Sequence, residues 1–121
     1  MRRTRNRWQI VGVHGTVVLL LALVSAATVF AQTVTGSLVG SVIDHSGAVL
    51  PGAAVVVTDI ERGTTRESLT NTEGLYTISS LAPGTYQVAI TMVGFKKFVR
   101  DRVEVAINTT VRIDARLDVG G

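Results

Sequence analysis

The sequence lacks cysteine and has few aromatic residues and prolines. Its 121 residues contain no Cys, two Pro, one Trp, two Tyr and three Phe. Without a thiol the chain cannot form a disulfide bond, a thiolate nucleophile or a cysteine-ligated zinc site. The stability of the folded chain must therefore come from packing and hydrogen bonding.

Acidic residues are also missing from residues 1–31, which carry four arginines near their start and then the stretch "TVVLLLALVSAATVFA". A basic segment, an apolar run and small residues are, in this order, the pattern of a secretory signal peptide. We therefore predict a signal-peptide helix in residues 1–31, cleaved between Ala31 and Gln32. An uncleaved anchor is the alternative, because an apolar run of this length reaches the lower limit for spanning a bilayer.

The excess of positive charge disappears once residues 1–31 are set aside. Four of the 12 lysines and arginines lie there, which leaves eight against nine acidic residues. A nucleic-acid-binding surface would need a basic stripe, so no nucleic-acid partner is predicted. Residues 32–121 have the length of one domain. Export places this domain in the periplasm, at the outer membrane or outside the cell.

Turn residues divide the segment after residue 32 into short runs of alternating polarity, and helical periodicity is absent. This pattern predicts an all-β sandwich of seven strands. The third run, "TTRESLTN", is polar and is expected at a sheet edge. The seventh, "TTVRIDARL", alternates apolar residues with Arg112, Asp114 and Arg116, so these charges are expected on a solvated face.

The passage "NTEGLYTISSLAPGTYQVAIT" contains the fourth and fifth predicted strands. Gly74 and the Pro83-Gly84 pair each precede a strand, which makes them turn residues. Leu81 is expected to fill the core between the two strands. Tyr86 begins an inward-facing row, with its hydroxyl seeking a backbone partner near a sheet corner.

Three runs in this order, "VGSVIDHSGAVLPGAAVVVTD", "TNTEGLYTISSLAPGTYQVAITMVGFKK" and "VEVAINTTVRIDARL", resemble the carboxypeptidase regulatory-like domain. The resemblance covers residues 36–118 and is strongest to the form at the N-terminus of Oar-like TonB-dependent outer-membrane receptors. It implies a seven-stranded, transthyretin-like Greek-key sandwich. The positions that carry it include Gly40, Asp44, Pro51, Gly52, Gly74, Tyr76, Leu81, Pro83, Gly84, Tyr86, Gly94 and Phe95.

This resemblance implies a non-catalytic binding or accessory domain whose partner is a protein or an outer-membrane component. In the receptors the domain is followed by a plug and a membrane barrel, whereas this sequence stops at "LDVGG". A free exported module and a truncated receptor both remain open.

Catalysis has little support in the residues themselves. His45 is the one histidine after residue 31, and it stands in "DHSG" beside an acid and a serine. A hydrolase is the alternative that this order raises, but neighbouring residues at a strand end point to opposite faces. We predict a turn here, with no catalytic residue, no metal ligand and no cofactor.

The segment "GFKKF" is the candidate docking patch, formed by Phe95, Lys96, Lys97 and Phe98. Apolar residues that are exposed next to charge are typical of a contact surface for another molecule. The same segment can instead anchor a charged turn to the core. A carbohydrate-binding module of the same fold is a further alternative, with a polysaccharide as partner.

Overall fold

The computed structural model describes residues 14–21 and 34–120, which belong to two separate compact units. Residues 14–21 form a helix inside the predicted signal peptide. Within the described ranges, no helix combines the length and the apolar character needed to cross a membrane. The predicted cleavage point between Ala31 and Gln32 lies outside the described residues.

Residues 34–120 form eight β-strands in two sheets. The strands are β1 (Gly36–Asp44), β2 (Ala54–Asp59), β3 (Thr65–Leu69), β4 (Leu75–Leu81), β5 (Gly84–Thr91), β6 (Phe98–Val105), β7 (Thr110–Arg112) and β8 (Ala115–Leu117). One sheet, called the β1 sheet, contains β4, β1, β7 and β8, and the other, called the β2 sheet, has the order β3-β2-β5-β6.

β1 is the central strand of its sheet. It runs antiparallel to β4 on one side and parallel to β7 and then β8 on the other. The β2 sheet is antiparallel throughout. Buried apolar residues from both sheets form one core cluster, so the predicted all-β sandwich is confirmed.

The predicted alternation of buried and exposed residues also holds. Tyr86, Val88 and Ile90 are buried along β5, and Leu81 is 2% exposed at the end of β4. In the last segment Ala115 and Leu117 are buried, while the charged residues between the apolar ones are exposed. The polar strand β3 lies at an edge of its sheet, as expected.

The seventh predicted strand, "TTVRIDARL", differs from the prediction, because it is divided into the two short strands β7 and β8. The Ile113 N–H donates to the Val39 carbonyl at 2.9 Å, which continues the ladder. The next bond is made by a side chain, since the Ser41 N–H donates to Asp114 Oδ1 at 2.8 Å. A carboxylate thus takes the place of a ladder carbonyl, and the sandwich has eight strands instead of seven.

Candidate functional site

The docking patch predicted from "GFKKF" lies in the connection from β5 to β6 and includes Phe98, the first residue of β6. Phe95 and Phe98 are half-buried and pack against the core, whereas Lys96 and Lys97 are exposed. The Arg100 guanidinium lies 5.6 Å from the centre of the Phe98 ring, within the range of a cation–π contact. The phenylalanines therefore anchor the segment, and the lysines are its exposed charges.

Two valines that the sequence reasoning missed supply exposed apolar surface beside this patch. Val93 is 99% exposed and Val119 is 75% exposed. The Gly120 N–H donates to the Gly94 carbonyl at 3.1 Å, so the two segments that carry the valines lie side by side. The signal that could have revealed them is an apolar residue directly beside a glycine turn, where no core position is available.

His45 lies in an exposed turn, and its neighbours do not form a hydrolytic constellation. Its Nδ1 is 3.5 Å from Asp118 Oδ1, and both side chains are solvent-exposed. Asp44 Oδ1 accepts bonds from the Ser46 N–H at 2.8 Å and the Ser46 hydroxyl at 2.7 Å. These bonds, the hydroxyl first, lower the pKa of Asp44. The serine hydroxyl is thus directed to the acid, as in an Asx turn, and not to the imidazole.

The side chain of Tyr76 extends from β4 past β1, and its buried hydroxyl bonds to a carbonyl on the other side of that strand. This contact explains why residue 40 of β1 is a glycine. The Tyr76 hydroxyl donates to the Ile113 carbonyl at 2.5 Å. A Cβ on Gly40 would overlap the Ile113 carbonyl oxygen and lie 2.7 Å from the Tyr76 hydroxyl. Burial raises the pKa of Tyr76 to about 12, and the nearby Asp114 charge adds to the shift. The group is therefore a neutral hydrogen-bond donor and a structural residue.

The sequence predicted Asp114 only as a charge on a solvated face, but its carboxylate also bonds to the sheet. Its Oδ2 accepts a bond from Arg112 Nε at 3.0 Å, and its Oδ1 accepts from the Ser41 N–H and hydroxyl. The Arg112 bond is the main cause that lowers the pKa of Asp114, followed by the bonds from Ser41. The exposed carboxylate therefore closes a gap in the sheet.

A small cleft opens at the end of the sandwich where β2, β3, β4 and β5 meet. Its volume is about 190 Å³, and its lining includes Asp59, Arg62, Arg66 and Tyr86. Asp59 is only 2% exposed. Its Oδ1 accepts the Arg62 N–H at 3.0 Å, and its Oδ2 accepts from the Arg62 guanidinium at 3.1 Å. The backbone bond is the first cause that lowers the pKa of Asp59, so the acid is held ionised.

Arg66 connects the two sheets across this cleft. Its guanidinium donates to the Ser79 carbonyl at 3.2 Å and to the Ser80 carbonyl at 3.4 Å, and both carbonyls belong to β4. Sequence reasoning placed the charges of β3 at an edge but did not find the cleft. The run "TDIERG", in which an acid precedes a glycine turn, was the available signal for Asp59.

The remaining polar and aromatic groups of the described residues show no site for a metal or a stacked sugar. Within residues 14–21 and 34–120, no three His, Asp or Glu side chains converge. Tyr86 is buried and donates to the Ala82 carbonyl at 2.5 Å, which is the backbone partner that was predicted for it. The buried tyrosines and half-buried phenylalanines leave no flat exposed ring among the described residues.

The chain is similar in sequence to part of a curated transporter. The TonB-dependent transporter Oar of Myxococcus xanthus is 32% identical over 103 residues. The matched segment is 84% of this chain but 9% of that protein. The chain therefore spans a small fraction of the length of this relative.

Solved structures share the fold at low identity. The TIE protein of Bacillus anthracis has a TM-score of 0.61 and 21% identity, covering 71% of this chain and 17% of that one. The 3-chlorocatechol 1,2-dioxygenase of Rhodococcus opacus has a TM-score of 0.57 and 12% identity, covering 74% and 61%. Likeness at such identities shows the fold and not the activity.

The resemblance seen in the sequence is confirmed by a family comparison. The model of the carboxypeptidase regulatory-like domain matches residues 37–118. These residues include all of the sandwich from the second residue of β1 to the end of β8. The chain belongs to the carboxypeptidase regulatory-like domain family.

Proposed function

We propose that the chain is an exported, non-catalytic accessory domain that binds another component of a TonB-dependent transport system at the outer membrane. The observation that carries this proposal is the 32% identity to the transporter Oar over 103 residues. The family match supports it, because the same residues form a regulatory-like domain. The matched segment makes up 9% of the length of the transporter, which suits an accessory domain of that protein.

The geometry of the polar residues supports a binding role without turnover. The Ser46 hydroxyl is bonded to Asp44, while His45 faces Asp118. Nucleophilic catalysis needs the base hydrogen-bonded to the nucleophile, whereas in this turn the hydroxyl and the imidazole each face a different carboxylate.

The docking patch is the proposed contact surface for the protein or outer-membrane component. Lys96 and Lys97 present positive charge on a segment that the half-buried phenylalanines hold in place. The adjacent exposed valines add apolar area. Such a combination suits a partner surface with acidic and apolar groups.

Export is tested by the mass of the chain recovered from a Gram-negative host. We expect a periplasmic or outer-membrane form that begins at Gln32, because residues 1–31 carry the features of a cleaved signal. Leu20→Arg, in the apolar run, should leave the chain in the cytoplasm. Val93→Arg serves as the matched surface control and should be exported normally. A full-length chain in the cytoplasm would contradict the proposal.

Binding is tested by placing a photo-crosslinking amino acid at Lys96 in the exported chain. We expect a discrete adduct with an outer-membrane protein in the membrane fraction. The same probe at Arg116, which is exposed on β8 of the β1 sheet, is the control and should give no such adduct. Equal labelling from both positions, or no adduct from either, would contradict binding through the patch.

A further inference from the structure

The four edges of the two described sheets, formed by β4, by β7 with β8, by β3 and by β6, differ in how far their main-chain groups are blocked. β4 is closed at both ends of its free edge. At one end the Leu75 N–H donates to Asn71 Oδ1 at 3.0 Å, and the Leu75 carbonyl accepts the Asn71 N–H at 2.9 Å. At the other end Arg66 covers the carbonyls of Ser79 and Ser80. An added strand would have to displace these bonds.

Two further edges are unsuitable for other reasons. β6 has a register shift beside Tyr86 and a positive φ of 55° at Arg102. Such a bulge bends the strand and interrupts its row of main-chain groups, which opposes the addition of a further strand. β7 and β8 have three residues each and are interrupted at Asp114. Neither edge offers a continuous ladder.

β3 offers a continuous, unblocked edge of five residues. The carbonyl of Thr64 accepts the N–H of Asp59 in β2, and the N–H of Thr70 donates to the carbonyl of Ala53, which directly precedes β2. Main-chain groups alternate in direction along a strand, so those of Arg66 and Ser68 also face β2. The groups of Thr65, Glu67 and Leu69 therefore face outward, and β3 ends the sheet among the described strands.

The side chains of β3 define two different faces for an added strand. Arg66 lies opposite the buried Val57 and points toward the inner side, where its guanidinium lines the cleft. Glu67 lies opposite Val56 on the outer face. Leu69 is on the same outer face and is 62% exposed. An incoming strand thus meets positive charge on its inner side and a carboxylate on its outer side.

Charge also decides against a second copy of this chain as the occupant. Antiparallel pairing over the whole of β3 is centred on Glu67, which places the two Glu67 carboxylates opposite each other. Like charges directly opposite each other in a ladder are destabilising. The cleft adds two guanidinium groups, Arg62 and Arg66, against the single carboxylate of Asp59. Its charge therefore favours a carboxylate from a different chain.

We propose that β3 is the docking strand for an extended segment of a different protein, which carries an acidic residue beside Arg66 and a basic residue opposite Glu67. Main-chain bonds to Thr65, Glu67 and Leu69 supply the pairing, and the two charged contacts select the sequence. This inference rests on the proposed binding role but uses a surface separate from the "GFKKF" patch.

The test uses the full chain, labelled for amide NMR, and a blocked peptide with the core Val-Thr-Lys-Glu-Val. In antiparallel register this core places Lys opposite Glu67 and Glu opposite Arg66. We expect shifts centred on the amides of Thr65, Glu67 and Leu69, together with slower exchange of these amides. Shifts centred on β6, or no binding at millimolar peptide, would overturn the proposal.

Two peptide controls separate strand addition from charge attraction alone. N-methylation of the Lys amide, which faces β3, should abolish binding, whereas N-methylation of the Glu amide, which faces away, should leave it unchanged. Replacement of the peptide Glu by Gln should weaken binding about tenfold, which corresponds to the loss of one charged hydrogen bond. Equal effects of the two N-methylations would overturn the pairing.

Protein variants complete the test. Arg66→Gln should weaken the peptide about tenfold, and Arg100→Gln on β6 is the matched control that should not. Because Arg66 also bridges to β4, the peptide series provides the same comparison on the unaltered chain. Concentration-dependent self-association through β3 without peptide would assign the edge to a second copy and overturn the proposal. Failure of peptide binding, with Lys96 crosslinking intact, would leave the proposed function standing.

Discussion

The two sheets of the sandwich satisfy their main-chain polar groups in different ways. In the β1 sheet, side chains replace or complete ladder bonds: Asp114 bonds the Ser41 N–H, Tyr76 bonds the Ile113 carbonyl, and Arg66 covers the end of β4. The β2 sheet is built from antiparallel backbone ladders with one bulge in β6, and side chains bond to its backbone beyond the strand ends, where Thr70 Oγ1 accepts the Ala53 N–H at 2.9 Å. The β1 sheet thus depends on particular residues within its ladders, whereas the ladders of the β2 sheet depend on the alternation of buried and exposed residues.

This difference predicts where the domain tolerates substitution. A regular ladder accepts any residue of suitable size and polarity, because its bonds come from the backbone. A side-chain bond to the backbone is lost when that one side chain changes, and the buried partner then has no replacement. We therefore expect the largest losses of stability from changes in the β1 sheet.

Gly40→Ala is expected to have the largest effect. A Cβ there would overlap the Ile113 carbonyl oxygen, and the Tyr76 hydroxyl 2.7 Å away blocks a shift. The free energy of unfolding should fall by about 4 kcal/mol or more. Gly84→Ala in the β2 sheet is the matched control, since its closest neighbour would be 3.8 Å away. Urea unfolding followed by circular dichroism measures both, and an equal loss would contradict the comparison.

Leu81→Ala should lower the free energy of unfolding by about 2 to 4 kcal/mol, because it removes a fully buried side chain and leaves a cavity. Leu69→Ala removes the same atoms from an exposed site on β3 and should cost less than about 0.5 kcal/mol. Both values follow from the same unfolding measurement. A small loss at Leu81 would mean that the end of β4 can collapse around the cavity.

Tyr76→Phe isolates the hydrogen bond that crosses beneath β1. The change keeps the ring but leaves the Ile113 carbonyl without its donor, at an expected cost of about 1 to 2 kcal/mol. Tyr86→Phe removes the comparable bond to Ala82 at the edge of the cleft and should cost less. If Tyr86→Phe proved the more damaging change, the crossing bond would not be a main support of the β1 sheet.

Alkaline pH should also destabilise the fold through Tyr76, with a smaller change in the free energy of unfolding than the substitutions above. Burial raises the pKa of Tyr76 from 10.0 to about 12, so the folded state holds the proton more tightly than the unfolded state. The resulting stability is present below about pH 10 and is lost as the pH rises toward 12. The urea midpoint at pH 11 relative to pH 9 measures this loss. Tyr76→Phe should reduce it and leave the share that comes from the raised pKa of Tyr86.

The alternating strands could be predicted from the sequence because burial on one face requires it. Tyr86, Val88 and Ile90 in one row and Ile113, Ala115 and Leu117 in the other are buried as predicted, while Met92 and Val111 at the row ends are partly buried. The break between β7 and β8 could not be predicted in this way. An exposed Asp114 fits the alternating pattern equally well whether its carboxylate faces water or bonds to Ser41, 73 residues away.

The candidate sites show the same limit. "GFKKF" was recognisable because lysine and phenylalanine stand together, but the sequence did not decide how far the rings are buried. The cleft required knowing that Arg62 and Arg66 meet Tyr86, which comes from a different part of the chain. Contacts between distant segments depend on topology, and local residue patterns do not contain that information.

The parallel pairing of β1 with β7 and β8 has a consequence for the order in which the chain can fold. β1 is the first of the described strands to be made by the ribosome, yet Val42 pairs with Ala115 and Asp44 with Leu117. Such distant pairings form slowly, because a long loop must close before they contribute stability. The sheet therefore stays incomplete until the end of β8 has been synthesised. A chain that cannot fold early remains unfolded for longer, which is the state that the proposed export through a secretion channel would require.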